Sequence, residues 1–176
     1  MILLIFPNQL FAKHPGLKLN PSRLILLEDS LFFGDQRYPM QFHKQKLWLH
    51  RASMKRYESE LQDKGFETRY VDYDAKEPSL VDQLRKSIKR KDRKANQLFC
   101  IDPTDFVLEK SLLKACDVLG LRCEILTNPG FLNSAQENQD YRAGKKRWFM
   151  ADFYKWQRRR MNILMDGNQP EGGQWS

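Results

Sequence analysis

Several features are missing from this sequence, and each absence narrows what the protein can be. No apolar run approaches the roughly 20 residues that span a bilayer, so no membrane partner is expected. Met1 leads directly into an apolar stretch, without a basic n-region or a small-residue cleavage site, so no signal peptide is expected. Cysteine is scarce: Cys100, Cys116 and Cys123 are odd in number and show no CxxC spacing. That argues against a zinc site and a disulfide framework, and a reducing cytoplasm is the consistent compartment. There is no GxGxxG after the first apolar run, no GxSxG, no phosphate-cradling glycine loop and no metal-ligand cluster. Ordinary dinucleotide binding is therefore not indicated, and no nucleophile or general base stands out.

What is present is organised around the first ten residues. Ile2 to Phe6 are consecutively apolar, the pattern of a strand buried on both faces of a sheet. Pro7 ends the ladder, because it has no N–H to donate. Asn8 and Gln9 then follow where open α/β sheets bind ligands, just past a strand's carboxyl end. A plain Pro-Asn turn is the other reading. Arg23 to Glu28 is a second apolar run, ending in a carboxylate at the equivalent place. Residues 67–72 alternate like a half-exposed edge strand, 97–102 form a fourth strand ending at Asp102, and 121–126 a short fifth. Helices are expected over 43–64, 80 to about 90 and 108–119, the last closed by Gly120. Strands alternating with helices predict a Rossmann-like, doubly wound five-stranded parallel sheet of order 3-2-1-4-5. In that order Asn8, Gln9, Glu28 and Asp102 approach one crevice.

The aromatic stretch 30–41 is either a wall of that crevice or packing for the next helix. On that helix His50 shares a stripe with Leu47, Met54, Tyr57 and Leu61. It is either a core histidine or a hydrogen-bonding wall; seven residues from His43, it does not match metal-pair spacing.

The net charge of +8 is clustered. Residues 85–94 hold seven bases against Asp92, and 142–160 hold eight against Asp152, so a polyanion partner is one reading. The first run lacks aromatics and reads as a solvated helix end and loop. The second interleaves Arg142, Lys145, Lys146, Arg147, Arg158 and Arg159 with Phe153 and Trp156, and reads as a docking segment for nucleic acid or another domain. An α/β domain over 1–130 followed by a basic, aromatic helical extension over 131–176 is the expected organisation. Within the extension a helix is expected from about 150 to 164, and the tail from Gly167 is too glycine-rich for an element of its own.

The ordered set Pro7-Asn8-Gln9-Leu10, Phe42-His43-Lys44-Gln45-Lys46-Leu47, Ala52-Ser53-Met54-Lys55, Phe153-Tyr154, Arg158-Arg159-Arg160, Ile163-Leu164-Met165 and Pro170-Glu171-Gly172-Gly173-Gln174-Trp175 resembles the deoxyribodipyrimidine photolyase-related family. This is the iron–sulfur branch of bacterial cryptochromes and (6-4) photolyases. The resemblance implies an amino-terminal antenna domain, with FAD and an iron–sulfur cluster in a following helical domain that meets DNA. It also implies that this stretch alone does not repair DNA. The implied antenna pigment is 6,7-dimethyl-8-ribityllumazine, held by Asn8, Gln9, Leu10, Glu28 and His50. Relatives commonly carry Gly-Asp-Gln-Leu where this chain has Pro7-Asn8-Gln9-Leu10, and an apolar residue where it has His50. Both departures change what hydrogen-bonds the pigment. The readings that do not invoke the family are a stand-alone Rossmann-like nucleotide-binding protein and a nucleic-acid-binding module using 142–160.

Overall fold

The computed structural model describes residues 1–35, 37–76, 79–88 and 97–175. The chain divides into two compact units, Met1–Gly130 and Phe131–Ser176. Among the described residues no helix is long and apolar enough to cross a membrane.

The first unit is built on β1 (Ile2–Ile5), β2 (Arg23–Leu27), β3 (Thr68–Val71), β4 (Gln97–Ile101) and β5 (Arg122–Leu126). They form one parallel sheet in the order 3-2-1-4-5, as the alternation of elements predicts. β1 is unbroken in its apolarity because it is central and buried on both sides. Alternate side chains of a strand face opposite ways. Ile2, Leu4 and Phe6 therefore pack with Leu80 and Leu84 of α3 (Leu80–Ser87) and Leu108 and Leu112 of α4 (Phe106–Leu119). Leu3 and Ile5 pack the other way, against Met54, Tyr57 and Leu61 of α2 (Lys44–Asp63).

Right-handed crossovers explain this division, since chain moving outward from β1 on either side must return over opposite faces. The β1–β2 connection uses only a short 3-10 turn, Pro15–Leu19. It lies so close to the sheet that a Cβ added at Gly16 would fall 2.5 Å from Leu3 Cδ1. His14 caps this turn, its Nδ1 accepting from the Gly16 N–H at 3.1 Å. Burial pushes the imidazole pKa down to about 4.

Caps set the helix limits. Asp105 accepts from the Leu108 N–H at 2.9 Å, so α4 starts two residues before the hydrophobic pattern suggests. Gly120 ends it at φ 65°. Within the aromatic stretch, Asp29 caps a single turn, α1 (Ser30–Phe33), closed by Gly34 at φ 143°. The expected helix over 80–90 is seen as α3, and the basic run 85–94 falls largely outside the described residues.

The second unit holds α5 (Ala135–Arg142), opened by a capping box between Ser134 and Glu137, and α6 (Met150–Met161). α6 stops short of the expected residue 164 because Asn162 adopts a left-handed conformation at φ 51°. The glycine-rich tail is not featureless, contrary to expectation. Gly167, at φ 58°, turns a two-residue hairpin of β6 (Met165–Asp166) and β7 (Gln169–Pro170).

Candidate functional site

The site-forming residues lie at the carboxyl ends of the central strands. Pro7 ends β1, and the chain folds back so that Gln9 N donates to Phe6 O at 3.0 Å. This turn drives the Gln9 side chain into the sheet, where it is wholly buried. Its Oε1 accepts from the Phe6 N–H at 3.1 Å, and its Nε2 donates to Ile101 O at 2.7 Å. The carboxamide thus supplies the bonds that β1 and β4 lose where their ladder ends. Asn8 points outward, with Nδ2 3.4 Å from Pro103 O, and Leu10 is half-buried. Asp102 accepts from the Thr104 N–H at 2.7 Å, while its carbonyl accepts from Asn128 Nδ2 at 2.9 Å.

Glu28, at the end of β2, is also fully buried. Arg51 from α2 grips it with two donors, Nε at 2.7 Å from Oε1 and Nη2 on Oε2. The Tyr70 hydroxyl donates to Oε1 at 2.7 Å, and the Tyr73 N–H donates to Oε2 at 2.8 Å. Burial alone would raise its pKa, but these donors hold it below the ordinary glutamate value. The carboxylate therefore ties α2 and β3 to the end of β2.

Beyond this tie the surface opens. A recess of about 270 Å³ is lined by Phe33, Leu47, Trp48, Arg51 and Tyr73. Phe33 stacks on Tyr73 with ring centres 6.0 Å apart, and the Arg51 guanidinium lies 5.6 Å from the Phe33 centroid. The Tyr73 hydroxyl donates to Gly34 O at 2.6 Å, which fixes the end of the aromatic turn. His50 sits against Phe32 and Phe33, at 5.9 and 6.1 Å, and its Nε2 is buried without a hydrogen-bond partner. Burial and Lys46 lower its pKa.

Asn8, Gln9, Leu10, Glu28, His50 and Asp102 are the residues singled out by sequence. Of these, Gln9 and Glu28 spend their polar atoms on protein partners, and His50 borders the aromatic turn. Sequence reasoning missed Arg51, Trp48 and Tyr73. A buried strand-end glutamate needs a cation, and that requirement pointed to a basic residue on the neighbouring helix.

A second carboxylate, Asp29, is nearly buried beside Asp35 and Asp105, and its pKa is pushed up to about 6, chiefly by burial. Asp35 is held well below the usual range by Arg37 and the Ser30 hydroxyl. Because folded Asp29 binds its proton more tightly than the unfolded chain does, its contribution falls as pH rises from about 4 through about 6. Asp29→Asn keeps the cap to the Leu31 N–H. It is expected to raise stability at pH 8 by about 2–3 kcal/mol and to leave it unchanged at pH 4. Urea melts at the two pH values check this, and an equal shift at both would refute it.

In the second unit, Tyr141 is the buried centre of an aromatic group, 5.0 Å from Phe153 and 4.8 Å from Trp156. Arg142 lies over Trp148, Arg147 over Phe149 and Lys145 over Tyr141, while Lys146 is exposed. Arg158 donates to the carbonyls of Ile163, at 3.1 Å, and Leu164. Arg159 lies 4.8 Å from the Trp175 ring centre.

A parallel sheet of order 3-2-1-4-5 with helices on both faces defines a Rossmann-like α/β domain. Residues 3–176 match the model of the deoxyribodipyrimidine photo-lyase-related protein family, and the chain belongs to that family. It is 36% identical over 182 residues to an uncharacterized protein of Acanthamoeba polyphaga mimivirus, covering 99% of this chain and 90% of that protein. It is 26% identical over 136 residues to a (6-4) photolyase of Agrobacterium fabrum, covering 76% of this chain but 26% of the photolyase.

Proposed function

We propose that this chain is the antenna domain of a photolyase- or cryptochrome-like flavoprotein, collecting light for DNA repair or blue-light sensing. The observation that carries the reading is the recess between the aromatic turn and α2, walled by Phe33, Trp48 and Tyr73. Trp48 offers an exposed ring at its rim, and His50, beside Phe33, carries a buried Nε2 without a hydrogen-bond partner among the described residues. The pigment such a site suits is 6,7-dimethyl-8-ribityllumazine, which when bound absorbs near-ultraviolet to blue light and passes the excitation on. Phe33, Trp48 and Tyr73 would hold its ring, and Arg51 would set the charge at its edge. Asn8 and Asp102 have more exposure for the ribityl hydroxyls than the committed Gln9 and Glu28. On this reading FAD and the iron–sulfur cluster belong to a helical domain outside these residues, and DNA is met by the intact protein.

Added lumazine is expected to give a saturable absorbance band that stays with the chain through gel filtration. Trp48 is mostly exposed, so Trp48→Ala should leave the fold intact and weaken uptake about tenfold, roughly 1.4 kcal/mol of ring contact. A folded protein that takes up no lumazine would count against the proposal. One observation favours a stand-alone nucleotide-binding protein instead: the mimivirus relative is matched over 90% of its length, so that protein is little longer than this chain. Saturable nucleotide uptake that Trp48→Ala weakens would favour that reading.

A further inference from the structure

The second unit has a recess of its own, about 470 Å³, which no part of the antenna reading uses. Asp140, Tyr141, Ala143 and Lys145 come to it from α5 and the turn that follows. Asp152, Lys155, Trp156 and Arg159 come from α6 at positions i, i+3, i+4 and i+7, one face of the helix. Charge along this face is ordered. Asp152 stands at the amino-terminal end, and Arg159 lies about 10 Å further along the axis.

The cations of this unit are not equivalent. Arg158 is spent on backbone carbonyls. Arg160 is spent on Glu137, Asn133 and the Leu132 carbonyl. Among the described residues no carboxylate pairs with Lys145, Lys155 or Arg159, although two carboxylates line the same recess. The three lie instead over aromatic rings, at 4.5, 5.8 and 4.8 Å from the ring centres.

The rings that floor the recess are already in use. Lys145 lies over Tyr141, and Arg160 and Tyr141 flank Trp156. Little ring face is left for stacking a base, so recognition falls to the charged ends. The Tyr141 hydroxyl, buried without a partner, adds an unspent polar group behind the wall.

We infer that this recess binds a small phosphomonoester carrying hydrogen-bond donors at its far end, of the class of a nucleoside monophosphate. The phosphate lies toward Lys155 and Arg159, with Lys145 completing the charge. Amino or hydroxyl groups about 10 Å along the α6 axis face Asp152, while Asp140, which also lines the recess, already accepts from Gln136 Nε2 at 2.8 Å. The volume falls within the range of small-ligand sites. The inference does not depend on the antenna reading.

Isothermal titration of the full chain with adenosine monophosphate tests it, with inorganic phosphate, adenosine and a 5′-phosphorylated oligonucleotide as comparisons. The expected result is one saturable site for the mononucleotide, at least about tenfold tighter than for phosphate or adenosine. Arg159→Gln should weaken it at least about tenfold, whereas Arg147→Gln, the same charge change outside the recess, should alter it less than about twofold. Asp152→Asn should erase the preference for the mononucleotide over phosphate. Equal binding of phosphate and mononucleotide would overturn the inference, as would equal losses from Arg159→Gln and Arg147→Gln. So would an oligonucleotide affinity that grows with length, because the recess would then be reading a polymer backbone.

Discussion

Glu28→Ala is expected to destabilise the first unit by about 2–4 kcal/mol, because two donors lose a buried acceptor at about 1–3 kcal/mol each. The carboxylate has no exposed surface, and its four donors come from Arg51, Tyr70 and Tyr73. Removal leaves the Tyr70 hydroxyl and the Tyr73 N–H without their acceptor, a cost the half-exposed Arg51 escapes by turning to water. Arg51→Ala should cost at least as much as Glu28→Ala, because it leaves the fully buried Glu28 carboxylate without its cation, and the double variant should cost less than the two single variants together. The acid limb of stability carries the same signature. Glu28 has a depressed folded pKa, so its contribution is present above the ordinary glutamate range and lost as pH falls through the lower folded value. In Glu28→Gln that acid-dependent loss should shrink. Urea melts of the unaltered protein and these four variants between pH 3 and pH 7 decide the matter. A Glu28→Ala cost below about 1 kcal/mol would mean that the ion pair is replaceable by water.

Gln9→Ala should cost about 3–4 kcal/mol although it removes no charge. The Phe6 N–H loses its partner, and the Ile101 carbonyl keeps the weak Cys100 S–H donor at 3.1 Å; a group left unsatisfied in a buried place costs about 1–3 kcal/mol. Hydrogen exchange locates the effect. The Phe6 amide should lose protection in Gln9→Ala, while amides in the middle of β2 keep theirs relative to global stability. If Gln9→Ala were neutral, the carboxamide would be available to a ligand rather than bound to the strand ends.

These two residues also show where a sequence is legible and where it is not. β1 could be read from Ile2 to Phe6 because burial on both faces leaves no polar alternation, and the strand order followed from the handedness of crossovers. The polar residues past β1 and β2 were placed at the right edge of the sheet, but their partners were not visible. Arg51 lies 23 residues from Glu28 and meets it only because α2 packs over the sheet. Ile101 lies 92 residues from Gln9. Whether a strand-end polar group faces a ligand or another strand depends on such long-range partners, which no local pattern encodes. Helix ends behaved similarly: α4 begins early because Asp105 caps it, and α6 ends early because Asn162 turns left-handed. The hairpin in the tail escaped notice because two residues per strand are too few for any periodicity.

The run Arg158-Arg159-Arg160 looks in sequence like one block of positive charge, yet the structure divides it into three occupations. Arg158 holds the carbonyls of the turn that follows α6, and Arg160 joins α6 to the start of α5 through Glu137 and Asn133. Only Arg159 faces the recess. A variant that neutralises all three at once would loosen the chain reversal and the bond between the two helices. It would report those losses as if they were a loss of charge. Experiments on the electrostatics of this unit therefore have to change one arginine at a time.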